Sequence, residues 1–155
     1  MVRRSRPEDA EAIAETFIAS FETLLTFLPN LHTHDEHRHF INEIVPRDHE
    51  VWVAEHEGRV VALAAIGEST LGHLYVHPDF HDRGLGTALL DKAKELRPDG
   101  FTLWTFPANA RACRFYERHG LRPIEYGGGS GNEEGLPDVR YEWSPSRPRT
   151  SAAAC

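Results

Sequence analysis

The chain has almost no cysteine. Only Cys113 and Cys155 occur in 155 residues. Cys113 falls in an expected helix and Cys155 ends an expected loose tail, so no structural disulfide is expected and the pattern suits a reducing cytoplasm. Long apolar runs are also missing: none approaches the roughly 18 residues of a membrane span. The basic start, Met1 to Arg6, leads into the acidic Pro7-Glu8-Asp9 rather than an apolar stretch, so no secretory leader is expected. Positive charge is in deficit, with 17 Lys and Arg against 24 Asp and Glu, a formal net charge of −7. That argues against a nucleic-acid backbone as the main partner and mildly favours cationic substrates through steering, though such a charge also serves plain solubility. No internal repeat is present.

What is there reads as an ordinary globular composition, 40 % hydrophobic and 26 % charged. The length fits one domain, placed at residues 1–143, with a disordered tail over 144–155. Val2 to Arg4 reads as a short strand. Ser5-Arg6-Pro7-Glu8 has the form of a capping box. Ile13, Phe17, Phe21, Leu24 and Leu28 then recur at helical spacing. Thr33-His34-Asp35-Glu36 is a second capping box, before a helix with Phe40, Ile41, Ile44 and Val45 on its apolar side and Pro46 at its stop. Three strands should follow: Val51–His56, Arg59–Ile66 and Leu71–Val76, joined by short connections that make them antiparallel neighbours. A helix carrying Leu85, Leu89, Ala93 and Leu96 comes next. A strand over Phe101–Phe106, a helix over Asn109–His119 closed by Gly120, and strands over Leu121–Tyr126 and Val139–Trp143 complete the order. The expected class is α/β of the α+β type: a mixed, mostly antiparallel sheet of six to seven strands flanked by about four helices.

His81-Asp82-Arg83-Gly84-Leu85-Gly86-Thr87 lies between a strand and a helix start. The first turn of a helix leaves N–H groups unpaired and carries partial positive charge. Glycines let several amides converge on one anion. A phosphate there would be held by backbone, with Arg83 and Thr87 as further donors. Two glycines also suit a plain turn. The third glycine of a dinucleotide fingerprint is missing, and so is the Gly-Lys-Ser/Thr of a P-loop.

Leu74-Tyr75-Val76-His77-Pro78-Asp79-Phe80-His81-Asp82-Arg83-Gly84-Leu85-Gly86 resembles the acyl-CoA loop of the GNAT acetyltransferase superfamily, Gln/Arg-x-x-Gly-x-Gly/Ala after a strand ending in Val-x-Pro. His81 stands where glutamine or arginine is usual. Asn109-Ala110-Arg111-Ala112-Cys113-Arg114-Phe115-Tyr116-Glu117-Arg118-His119-Gly120-Leu121 resembles the second signature, Asn-x-x-Ala-x-x-Phe-Tyr-x-x-x-Gly-Phe, with Leu121 for phenylalanine. The matched block runs from Val51 to Tyr126.

The resemblance implies an N-acetyltransferase that uses acetyl-CoA as cosubstrate, with direct attack by a primary amine in a ternary complex and no metal. It implies a splayed gap between the strand ending at Val76 and that over Phe101–Phe106. The pantetheine arm would pair with the backbone of Leu74, Tyr75 and Val76. The diphosphate would sit on Asp82, Arg83, Gly84, Leu85, Gly86 and Thr87, with His81 as a side-chain donor, and Asn109 would hydrogen-bond the pantetheine. Tyr116 matches the family's general acid; helix spacing alone would make it a packed aromatic.

For the base, Thr70, Gly72 and Leu74 share one strand face and offer no carboxylate, which leaves Glu68 and His73, or a water. The acceptor site would come from residues 25–40 and from the loop Gly127 to Asp138, where Glu133, Glu134 and Asp138 could hold an ammonium group or simply be solvated. Trp52, Trp104 and Phe106 read first as core, with the lining of an apolar acceptor pocket as the alternative. A small-molecule or peptide amine is thus the expected partner, with neither nucleic acid nor membrane, and a homodimer is possible.

Two other readings stay open. One is a non-catalytic acyl-CoA-binding domain on the same fold. The other is a metal site at His32, His34, His37 and His39, of which only His34 and His37 have chelating helical spacing.

Overall fold

The computed structural model describes residues 1–23 and 28–145. Leu24, residues 25–27 of the expected acceptor segment, Cys155 and most of the expected tail lie outside the described residues. Backbone proximity gathers the chain into two compact units, Met1–Ala93 and Lys94–Cys155.

In the first unit, β1 (Val2–Arg4), β2 (Glu50–His56), β3 (Arg59–Ile66) and β4 (Leu71–Val76) form a sheet in the order β1-β2-β3-β4, antiparallel throughout. α1 (Ala10–Thr23) lays Ile13, Ala14 and Phe17 into a core shared with Ile41, Val45, Val51, Val53, Leu63 and Ala65. β3 is buried along nearly its whole length, so it reads as a continuous apolar run rather than an alternating one.

The second capping box forms as expected. The Thr33 hydroxyl accepts from the Glu36 amide at 3.1 Å, and Glu36 accepts from the Thr33 amide at 2.8 Å, opening α2 (His34–His39). A π-helical turn over Phe40–Ile44 follows, and Pro46 confines what remains to a 3₁₀ turn, Val45–Arg47. The first capping box is displaced by one residue. Asp9, not Glu8, accepts from a cap amide, that of Arg6, at 2.7 Å. The reason lies outside the local pattern: Arg3 grips the buried Asp9 carboxylate with two bonds of 2.8 and 3.0 Å, while Glu8 stays exposed.

In the second unit, β5 (Phe101–Thr105), β6 (Arg122–Gly127) and β7 (Asp138–Trp143) form an antiparallel sheet in the order β5-β7-β6. α4 (Ala110–Arg118) begins at Asn109, which is its N-cap rather than its first turn. α3 (Leu85–Leu96) precedes β5 and buries Leu85, Leu89, Leu90 and Ala93. Among the described residues seven strands hydrogen-bond as two sheets, four- and three-stranded, antiparallel throughout, and with the helices they make the expected α/β class. No helix among the described residues is long and apolar enough to cross a membrane.

Candidate active site

β4 is an edge strand of the first unit's sheet, and its register decides which of its groups face outward. Val76 lies opposite Ala62, Tyr75 opposite Leu63 and Leu74 opposite Ala64, while His77 N–H donates to the Val61 carbonyl at 2.8 Å. Antiparallel alternation then gives His73 and Tyr75 to the β3 ladder and turns the N–H and C=O of Leu74 and Val76 away from it. The Val76 carbonyl is taken inside the unit, by the Ser20 hydroxyl at 3.2 Å and the His81 ring at 3.1 Å. Left facing outward are the amides of Leu74 and Val76 and the Leu74 carbonyl. Because a carbonyl only accepts, His81 Nε2 carries the proton, and the ring's one N–H is engaged within the protein.

The expected alternation of faces is interrupted within β4. The register steps from Ala65 opposite His73 to Ile66 opposite Leu71, so Gly72 is a bulge residue without a partner.

After a single 3₁₀ turn at Pro78–Phe80, the chain adopts left-handed conformations at Asp82, φ 64°, and Gly84, φ 80°. Such alternation points successive amides into one concavity. α3 makes its first intrahelical bond from the Ala88 amide to the Gly84 carbonyl, 3.0 Å, so the amides of Leu85 and Gly86 precede the ladder. A Cβ on Gly84 would meet nothing within 4 Å, so that side is open to an approaching group. The Arg83 and Arg59 guanidinium groups stand 5.6 and 5.4 Å from the Phe80 ring centroid, which places two positive charges at the loop. Thr87 lies in the same first turn.

The two candidate bases sit in different settings. Glu68 is exposed on the bend closed by the Gly67 amide on the Thr70 carbonyl, 2.8 Å. The His73 ring lies against Phe40 at 5.5 Å, Tyr75 at 5.9 Å, His49 at 6.2 Å and Phe17 at 6.3 Å. Burial, reinforced by His49, pushes its pKa down from 6.5 to about 4. Sequence reasoning passed over His49. Its Nδ1 stands 2.6 Å from Asp48 Oδ1 and 3.1 Å from the Val45 carbonyl, and its ring occupies the space a side chain on Gly72 would need.

In the second unit, the Asn109 side-chain oxygen accepts from the Ala112 amide at 3.2 Å. Its amide nitrogen takes no part in that cap. Tyr116 is buried, 5.4 Å from the Phe115 ring and 5.9 Å from Tyr141. Tyr141 donates a 2.6 Å bond to Glu117, tying β7 to α4. Burial and that bond push the Tyr141 phenol above its ordinary range.

A cleft of about 520 Å³ in the same unit is lined by Trp104, Phe106, Glu125, the glycine-rich segment 127–132 and Asp138. Trp104, read first as core and otherwise as pocket lining, is 50 % exposed there. Of the expected carboxylates, Asp138 lines the cleft, while Glu133 and Glu134 are not part of its wall. Trp52 is half-buried in the first unit, with Lys92 4.7 Å and Arg4 5.9 Å from its ring.

His32, His34 and His37 of the histidine-rich segment are engaged in protein contacts. His34 pairs with Glu22 at 2.8 Å and His32 with Glu36 at 3.5 Å. His37 is buried, 4.8 Å from Phe21 and 5.4 Å from Phe17, and burial lowers its pKa. Among the described residues no group of three or more His, Cys, Asp or Glu is arranged to hold a metal ion.

A family model described as the acetyltransferase (GNAT) domain matches residues 47–123. An uncharacterized N-acetyltransferase of Archaeoglobus fulgidus is 28 % identical over 150 residues, which span 85 % of this chain and 99 % of that one. The peptidyl-lysine N-acetyltransferase YjaB of Salmonella typhimurium is 28 % identical over 123 residues, 78 % of this chain and 82 % of its own. The PaiA N-acetyltransferase of Thermoplasma acidophilum, solved in complex with coenzyme A, shares the fold with a TM-score of 0.74 at 16 % identity, covering 93 % of this chain and 98 % of that one.

Proposed function

This chain belongs to the GNAT family of acetyltransferases, and we propose that it moves an acetyl group from acetyl-CoA to a primary amine in a ternary complex. The observation that carries this reading is the loop after β4. Left-handed Asp82 and Gly84 turn the chain into α3 with the Leu85 and Gly86 amides ahead of its hydrogen-bond ladder. Such a loop suits a diphosphate, which backbone N–H groups satisfy without any titratable partner. Arg83 adds charge, and Thr87 sits in the same turn. His81 contributes by tying the loop to the end of β4.

The outward amides of Leu74 and Val76 and the Leu74 carbonyl would receive the pantetheine amides as a further strand. A backbone N–H there would also polarise the thioester carbonyl. Asn109 would donate from its side-chain nitrogen. Tyr116 would protonate the departing sulfur, the role its place in the second signature implies. Of the two bases suggested by sequence, His73 at about 4 holds a proton too weakly to match an amine, and Glu68 stands exposed at the bend.

The cleft that combines Trp104 and Phe106 with Glu125 and Asp138 suits a cationic acceptor on an apolar arm. A lysine side chain has that chemistry, and YjaB is a peptidyl-lysine N-acetyltransferase. Action in the cytoplasm and a homodimer complete the proposal; sedimentation checks the second.

The test is calorimetry with CoA and acetyl-CoA, followed by thiol release over a panel of polyamine, amino acid, antibiotic amine, peptide N-terminus and lysine peptide. Turnover of one class supports the reading. Binding without turnover would mark an acyl-CoA-binding domain, and absence of binding by folded protein refutes the site.

A further inference from the structure

We propose that His49 is the general base of the transfer, its Nε2 taking the proton of the attacking amine. This rests on reading the chain as an N-acetyltransferase, and it fills the place left by a β4 that carries no carboxylate.

Three observations converge on His49. The first is its tautomer. Both groups at Nδ1, the Asp48 carboxylate at 2.6 Å and the Val45 carbonyl at 3.1 Å, are acceptors, so Nδ1 holds the proton and Nε2 presents a lone pair. Asp48 also stabilises the imidazolium that forms once the proton arrives.

The second is the notch that receives the ring. An ideal Cβ on Gly72 would fall 2.5 Å from Nε2 and 2.9 Å from Cδ2, and one on Gly67 would fall 3.5 Å from both atoms. The glycine at 72 is what admits the imidazole, while at 67 a Cβ would only touch the ring in ordinary contact. Gly72 is also the bulge residue of β4, and bulges re-aim groups beside active sites.

The third is location and access. Gly72 is exposed and the His49 side chain is 19 % exposed, so the ring is held but reachable. Gly72, against which the ring lies, comes two residues before Leu74, the first outward amide of β4, a rise of about 7 Å for extended chain. An amine, directly or through one water, bridges that distance. Among the described residues, the titratable groups the structure sets against the ring are Asp48 and His73.

In the step, the amine nitrogen forms the bond to the acetyl carbon as the C–S bond breaks. The N–H proton passes to His49 Nε2 and then to solvent, and the sulfur leaves as thiol with the proton of Tyr116, which is restored from water. Nothing is oxidised or reduced.

The experiment uses the full chain and measures acetyl-CoA affinity and the pH profile of kcat/KM with whichever panel amine the wild type acetylates. His49→Gln should lower kcat by about 100-fold or more and remove the acidic limb, with acetyl-CoA affinity within about 2-fold. Asp48 is exposed, so Asp48→Asn should fold normally and lower kcat with acetyl-CoA affinity retained, by loss of the carboxylate that orients Nδ1. Gly72→Ala should push the ring out of its notch and reproduce the His49→Gln rate in a folded protein. A His49→Gln enzyme with an intact acidic limb and a rate within about 3-fold overturns the assignment while leaving the transferase reading in place. A wild type that binds acetyl-CoA yet releases no thiol with any panel amine overturns both.

Discussion

His73 makes the first unit sensitive to acid in a way that can be worked out from its surroundings. Its ring lies among Phe17, Phe40, Tyr75 and His49, with Nδ1 3.5 Å from the Tyr75 hydroxyl. Burial and His49 lower its pKa from 6.5 to about 4. A histidine depressed in the folded state binds its proton more readily once unfolded. Stability is therefore full above about pH 6.5 and falls as pH drops toward 4, levelling off below that. Linkage across that interval gives a loss of about 2 kcal/mol between pH 7.5 and 5, and about 3 kcal/mol by pH 4. Urea unfolding at pH 7.5, 6, 5 and 4.5 should be compared for wild type and His73→Phe, which keeps a ring in the cluster without a titratable group. Carboxylates and the buried His37, whose pKa is lowered in the same sense, act equally in both proteins. The difference between the two curves thus isolates His73. Parallel curves from pH 7.5 to 5 would refute the reasoning, because they would mean the ring is protonated in place without penalty.

Asp9→Ala should destabilise the fold by about 3 kcal/mol, since it strips a buried carboxylate from the Arg3 fork and from the Arg6 amide; urea midpoints measure it. Arg3 holds that carboxyl below its usual range, so the pair's stabilisation persists above the ordinary carboxylate pKa and is lost only as pH falls through the lowered one. Gly84→Ala should cost about 1 to 2 kcal/mol because φ is 80° there, through strain rather than collision, since the space around a new Cβ is empty. Acetyl-CoA affinity measured by calorimetry should drop with it. Tyr116→Phe should slow thiol release by about 100-fold with acetyl-CoA affinity retained; unchanged turnover would remove the assigned acid.

The elements that sequence disclosed are those decided locally. Thr33 and Glu36 satisfy each other's amides within one turn, and that geometry needs no partner elsewhere. β2, β3 and β4 follow from apolar runs bounded by turn residues, and Glu57-Gly58 connects the first two with both residues left-handed. Asp9 shows where locality ends. Ser5-Arg6-Pro7-Glu8 has the right letters, but Arg3 selects the next carboxylate by burying it. Trp104 shows a second limit. Phe101 and Leu103 are buried while Trp104 falls on the opposite side of β5, and an apolar run cannot say which of its members will line a cleft.

The site divides in the same way. The loop proposed to hold phosphate was legible because left-handed turns and helix starts write themselves into adjacent residues, Asp82 to Thr87. The contact of the His81 ring with the end of β4, 3.1 Å away, is one that no local pattern encodes. His49 left its trace elsewhere, at Gly72. A glycine inside a strand weakens it unless another group needs the space, and here an imidazole lies where the side chain would be. The absence of a carboxylate from β4 and the presence of that glycine are then one fact. A larger residue at 72 would exclude the ring that we assign as base. Sequence could flag the glycine as a close approach, but only the fold shows that the approaching group is an imidazole oriented by Asp48.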